Sequence, residues 1–207
     1  MSEEIKASAE EKKSVFVHLH NHTDYSLLDG AAQIPAYIGK CKEYGMDAVA
    51  ITDHGNMYGA MKFYKACRAA GIKPIIGSEF YMNPRDRRDQ SPFSEGRNHS
   101  YHLILLAMND NGYHHLMELT TLANTEGFYY KPRIDDEILA SHSDDLICLS
   151  ACLGGEILQN LLHDDYERAK ERAAWFKSVF KDRYYIELQD HGLEEQKRTN
   201  PMLIRLA

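Results

Sequence analysis

No stretch of this 207-residue chain approaches the ~20 consecutive apolar residues that a membrane-spanning helix needs. Residues 1–13 are polar and charged, without the apolar centre of a secretory signal, so a soluble, cytoplasmic protein with no membrane partner is expected. Cysteine is scarce. Cys41, Cys67, Cys148 and Cys152 fall at no zinc-ribbon or thioredoxin spacing, which argues against a disulfide framework and fits a reducing compartment. Positive charge is also short: 24 Lys and Arg face 31 Asp and Glu, and the formal net charge of -7 argues against a free-standing electrostatic binder of nucleic acid. Local basic contacts stay compatible with that balance.

Histidine is what the chain has in plenty, with eleven residues. Three of them, His18, His20 and His22, alternate just before Asp29. In an extended strand residues two apart share a face, so the three imidazoles are predicted to project together, as the first piece of a metal site. A single histidine would ordinarily be read as a solvated loop residue; three of one parity followed by a carboxylate favour ligands. Thr52-Asp53-His54-Gly55 is the second candidate, although alone it reads as a turn closed by glycine. Glu79 is a carboxylate in an otherwise apolar run, costly to bury unless paired or metal-bound, or else a strand-end residue with its head in water. Cys152 by itself reads as a small buried hydrophobe.

Strand and helix patterns alternate along the chain. Strands are predicted over residues 14–19, 46–52, 73–82, 101–107, 146–150 and 184–188, and helices over 33–44, 57–70, 111–124, 136–142, 154–162 and 166–180. Residues 83–98 are charged and rich in breakers, hence a loop. This alternation predicts a parallel sheet covered by helices, either an α/β barrel or an open doubly wound sheet. His20, His22, His54, Glu79, Cys152 and His191 then gather at the carboxyl ends of strands, the active face of a barrel. His102 does not fit, because it starts its strand. Asn200-Pro201 reads as the start of a further helix, and six strands with so short a stub suggest a larger protein.

Five segments in order carry a resemblance: His20-x-His22-Thr23-x-x-Ser26-x-x-Asp29-Gly30, Thr52-Asp53-His54, Gly77-Ser78-Glu79, Tyr101-His102-Leu103 and Ser150-Ala151-Cys152. They are similar to the successive motifs of the PHP (polymerase and histidinol phosphatase) superfamily. Lys62-Phe63-Tyr64, the run 70–77, the run from Glu126 to Asp135 and the run from Glu187 to Gly192 further resemble the PHP domain of bacterial replicative DNA polymerase III alpha subunits. The resemblance implies a distorted (β/α)7, TIM-like barrel over residues 14–207, C-terminally truncated here, after a polar arm over 1–13. It implies up to three divalent metals on nine ligands, of which seven map here: His20, His22, Asp29, His54, Glu79, His102 and Cys152. The last two belong to an Asp-x-His motif that this chain does not reach. His18 is then moved to a supporting role beside the ligands, and His191 is structural.

For function the resemblance implies metal-dependent phosphodiester hydrolysis, a 3′–5′ exonuclease that proofreads during DNA replication. Two metals would hold the scissile phosphate and ionise water, so no protein nucleophile is needed. Mixed imidazole, carboxylate and thiolate donors suit zinc, manganese or iron better than magnesium alone. Lys131 and Arg133 are candidate phosphate contacts, with surface salt bridging as the plainer alternative. Expected partners are the primer 3′ end of DNA, the remainder of the polymerase alpha subunit and other replisome subunits. A catalytically silent domain that stabilises the polymerase or docks a partner is the main alternative. A free-standing phosphoesterase is the third, disfavoured by the polymerase-like segments.

Overall fold

The computed structural model describes residues 16–27, 29–91 and 100–207. The arm expected over 1–13, residues 14 and 15 of the first expected strand, and residues 92–98 of the expected loop lie outside the described residues. Among those described, helices α1 (Ile34–Glu43), α2 (Ala60–Ala70), α3 (Asp110–Thr125), α4 (Asp136–Ser141), α5 (Glu156–Leu162), α6 (Tyr166–Phe180) and α7 (Glu194–Leu206) interleave with strands. The strands are β1 (Ala48–Ile51), β2 (Lys73–Met82), β3 (Tyr101–Ala107), β4 (Arg133–Ile134), β5 (Leu146–Leu149) and β6 (Tyr184–Tyr185). No described helix is long and apolar enough to cross a membrane.

Local chemistry explains the helix bounds. Pro35 sits in the first turn of α1, where a missing N–H breaks no helical bond, and Ile34, Ile38 and Cys41 turn one face inward. Gly71 closes α2 in the left-handed region, with φ 73°. The side chains of Asn109 and Asp135 accept from Gly112 N–H at 3.0 Å and Ile138 N–H at 3.1 Å, capping α3 and α4.

The sheet runs β1-β2-β3-β5-β6, with β4 paired to the far end of β2. It is not all parallel as expected: β3 runs antiparallel to both β2 and β5. An antiparallel neighbour needs no helical crossover, and among the described residues no helix lies between β2 and β3. In β3, Leu103 and Leu105 join the core packed under the helices, whereas Ile104 and Leu106 join a smaller inner core with Ala50, Leu149 and Ala151. His102 shares the inward parity of Ile104. Register pairs Tyr81 with His102 and Glu79 with Ile104, so Glu79 and Tyr81 face inward as well.

Three further expectations are corrected. The described part of the first expected strand forms no regular ladder. Ala50 and Thr52, two residues apart, donate to the carbonyls of His18 and Asn21, three apart, each at 2.9 Å. One extra residue is accommodated there, as in a bulge, and the alternation between His18 and His20 is broken. The last strand is shorter than expected, Tyr184–Tyr185 alone. Finally, α7 starts at Glu194 and continues through Pro201, so no new helix begins there. It forgoes one backbone hydrogen bond at the proline.

Candidate metal centre

Glu79 is the hub of the site, wholly buried at the inward face of β2. Its Oε2 lies 2.8 Å from His20 Nε2 and 3.6 Å from His22 Nε2. Its Oε1 lies 2.6 Å from His54 Nδ1 and 2.7 Å from His102 Nδ1. His54 Nε2 is in turn 2.7 Å from Asp29 Oδ2, at the exposed rim, and Cys152 Sγ is 3.5 Å from His102 Nδ1. All seven expected ligands are therefore brought together. The antiparallel direction of β3 accounts for His102: its start lies beside the end of β2.

The loop that carries the first ligands is fastened to the end of β1 by Asp53. That buried carboxylate accepts from Thr23 N–H at 2.6 Å, Thr23 Oγ1 at 2.8 Å and Ser26 Oγ at 3.1 Å. Ser26 Oγ also accepts from His54 N–H at 3.1 Å. These bonds hold Thr23 and Ser26, and with them the backbone beside His22, against the end of β1. Gly30 is required by closeness, because a Cβ there would stand 1.7 Å from the Thr23 carbonyl oxygen. Ala151, a non-glycine at φ 61°, turns the chain after β5 so that Cys152 reaches His102. Such a residue costs about 1 kcal/mol and tends to accompany functional sites.

Electrostatics reflect four imidazoles around one carboxylate. Burial opposes ionisation of Glu79, but His102, His20 and His54 outweigh it and hold the carboxyl well below the usual range. Burial likewise disfavours charge on His20, yet Glu187 and Glu79 raise it to about 10. His102, against burial, is raised to about 9 by Cys152 and Glu79. His22 goes the other way, lowered by burial and by neighbouring His54.

Two sets of donor atoms, His20–His22–Glu79 and His54–Glu79–His102, each converge within 4.8 Å. Among the described residues His22 Nδ1, His54 Nδ1 and Glu79 Oε1 are buried without a hydrogen bond, although His54 and Glu79 approach to 2.6 Å. Lone-pair donors crowded together and left unsatisfied fit divalent cations shared through Glu79. His20, His22, Glu79, His54 and His102 would hold them, with Asp29 and Cys152 adjacent.

Not every expected residue joins this group. His18 is exposed, and its ring packs edge-on against Phe16 at 4.8 Å, away from the ligands. The bulge-like step before His20 explains why the supporting role expected of it is not seen. Arg133 is buried, with its guanidinium donating to the carbonyls of Gly127, Asp89 and Arg87. It pins a loop, with all three guanidinium nitrogens donating to backbone carbonyls. Lys131 remains exposed, its Nζ 5.1 Å from the Tyr81 ring centre. Tyr81 packs in turn against His54 and His102, with ring centres 6.0 and 5.4 Å away. Sequence reasoning missed Glu187, whose Oε1 lies 2.8 Å from His20 Nδ1. The signal was available: like Glu79, it is a carboxylate at the end of a short apolar run. A surface cavity of about 300 Å³ between α2, β2 and α3 contains none of these residues.

Residues 18–191 match the family model described as the PHP domain. The chain is 51% identical over 193 residues to DNA polymerase III subunit alpha of Treponema pallidum (strain Nichols), a match covering 93% of this chain and 16% of that protein. It is 50% identical over 195 residues to the subunit of the same name from Borreliella burgdorferi (94% and 17%), and 47% identical over 197 residues to that from Thermus aquaticus (94% and 16%). The chain thus spans 16 to 17% of the length of these relatives. With the family match running across the ligand set and most of its length, the chain belongs to the PHP domain family.

Proposed function

We propose that this chain is the PHP domain of a bacterial replicative DNA polymerase alpha subunit, and that it hydrolyses phosphodiesters at the 3′ end of DNA with divalent metal. The observation that carries the proposal is the sharing of buried Glu79 between two convergent donor sets. A site that spreads one carboxylate over two cation positions is suited to gripping both sides of a phosphoryl group. The family match supports the reading, and the relatives supply its replicative context.

Zinc or manganese suits imidazole and carboxylate donors better than magnesium does. Such cations would supply Lewis-acid polarisation of a phosphoryl oxygen and lower the pKa of water. The chain's own residues do the rest. Asp53 holds the loop bearing His20 and His22 at the end of β1, and Ser26 ties the His54 backbone to the same carboxylate. Lys131, held over Tyr81 beside His54 and His102, provides a cation for a phosphate of the incoming strand. DNA, the remainder of the alpha subunit and other replisome subunits are the partners this reading entails.

The test uses the full-length protein that carries this domain. Metal-loaded wild type is expected to remove a mismatched 3′ nucleotide, and His20→Ala to lose that activity while folding normally. A wild type that holds metal and leaves the mismatch in place would sink the exonuclease reading. In that event the short contacts of His20, His54 and His102 with Glu79 serve a structural purpose.

A further inference from the structure

We infer that Glu187 is a positioning residue for the metal centre: its carboxylate fixes the tautomer and orientation of His20, leaving Nε2 as the donor that faces Glu79. This rests on the metal-binding part of the reading above and is independent of hydrolysis. His20 has a carboxylate oxygen 2.8 Å from each ring nitrogen, Glu187 at Nδ1 and Glu79 at Nε2. A neutral imidazole carries one N–H, so only one of these contacts is a donated hydrogen bond when a cation sits on the other side. Glu187 belongs to neither convergent donor set, whereas Glu79 belongs to both. The proton therefore goes to Nδ1 and Glu187, and the lone pair to Nε2.

The carboxylate is itself held in place. Glu187 N–H donates to Ser150 Oγ at 2.9 Å, and Gln189 Nε2 donates to Glu187 Oε1 at 2.6 Å. Ser150 N–H donates to the Tyr185 carbonyl at 3.0 Å, tying the end of β5 to β6. Ser150 precedes Cys152 by two residues, so one short network connects the thiol's strand to the imidazole on the opposite side of the centre. It also joins the two ends of the sheet: residues 16–22 run beside β1, and Glu187 follows β6. Glu187 Oε2 is buried without a hydrogen bond among the described residues, so the oxygen facing His20 is the one in use.

The experiment compares Glu187→Ala, Glu187→Asp and Glu187→Gln with wild type in the full-length protein. Zinc and manganese affinities are read by competition with a chromophoric chelator, metal content after gel filtration, and Tm both loaded and stripped. Glu187→Ala is expected to weaken one class of sites about 10- to 100-fold, the scale set by partners of ligating histidines. Glu187→Asp, which keeps the charge, should recover part of the loss, and Glu187→Gln, which keeps an acceptor, a smaller part. Stripped Glu187→Ala should melt somewhat lower than stripped wild type, because His20 loses a carboxylate partner, and the gap should widen when both are loaded with metal. Unchanged affinity and unchanged metal content in Glu187→Ala overturn the inference, whatever the Tm of the stripped form. If alanine does not fold, the aspartate and glutamine variants carry the measurement. No DNA is present in the titration, so a wild type that binds metal without cutting refutes the exonuclease reading and leaves this one standing.

Discussion

Two charge clusters in this protein, each centred on a buried side chain, are built on opposite plans. At Arg87 every guanidinium nitrogen is engaged: Glu126 accepts from Nε at 2.9 Å and Nη2 at 2.7 Å, and Asp135 accepts from Nη1 at 2.9 Å. Unlike charges there complete one another. Around Glu79, four imidazoles and a carboxylate approach within 2.6 to 3.6 Å, yet His22, His54 and Glu79 retain buried atoms without a hydrogen bond. Four imidazoles crowded on one carboxylate are rich in lone pairs and fit a cation, whereas a guanidinium met by carboxylates completes a joint.

The comparison can be broken first at its hubs. Glu79→Gln should empty both donor sets and reduce 3′-nucleotide removal at least about 1,000-fold, about 4 kcal/mol in barrier. Metal content and single-turnover hydrolysis measure both, and a metal-loaded, active Glu79→Gln would show that the cluster is no metal centre. Arg87→Ala should cost about 3 kcal/mol of stability by stranding the buried Asp135 carboxylate. Urea melts should give the same loss with and without chelator; a loss seen only in loaded protein would couple the two clusters.

Acidity sharpens the contrast on a smaller scale. Burial disfavours charge on His20 and His102, but their carboxylate and thiol neighbours raise them to about 10 and about 9 in metal-free protein, above the ordinary 6.5. The stabilisation they contribute is complete below pH 6.5 and is lost as pH rises through 9 and 10. Stripped protein should therefore melt lower at pH 9 than at pH 7, and metal should raise Tm more at pH 9, because it displaces those protons. Calorimetry showing the same metal-induced rise at both pH values would contradict this proton displacement. The smallest effect belongs to Lys131→Ala, which should weaken DNA binding alike for all sequences and lower the salt slope by about one. A changed sequence preference instead would place Lys131 against bases.

Much of this was legible from the chain. The Asp135 cap, the Gly71 stop and the β2 bounds follow local rules that tertiary structure did not override. The seven residues that the structure brings together around Glu79 were named through the resemblance, since spacing alone would not have selected Cys152. The direction of β3 was hidden because a buried strand has the same apolar pattern whichever way it runs. The only hint was negative, the missing helical periodicity in 83–98. The error at His18 has a similar origin, for strict alternation assumes a regular ladder and one extra residue reverses the face. Arg133 looked like a phosphate contact because a sequence shows its charge and conceals the three carbonyls that occupy it.

The contact between His20 and Glu187 spans 167 positions of the chain. During synthesis from the N-terminus, His20 and His22 emerge early, but the carboxylate that orients His20 arrives only after β6 has left the ribosome. If Glu187 orients His20 as inferred, firm metal uptake at the His20 set waits until the two ends of the sheet have met. A cation held firmly at the His20 set would then report that the chain has been folded through to the sixth strand.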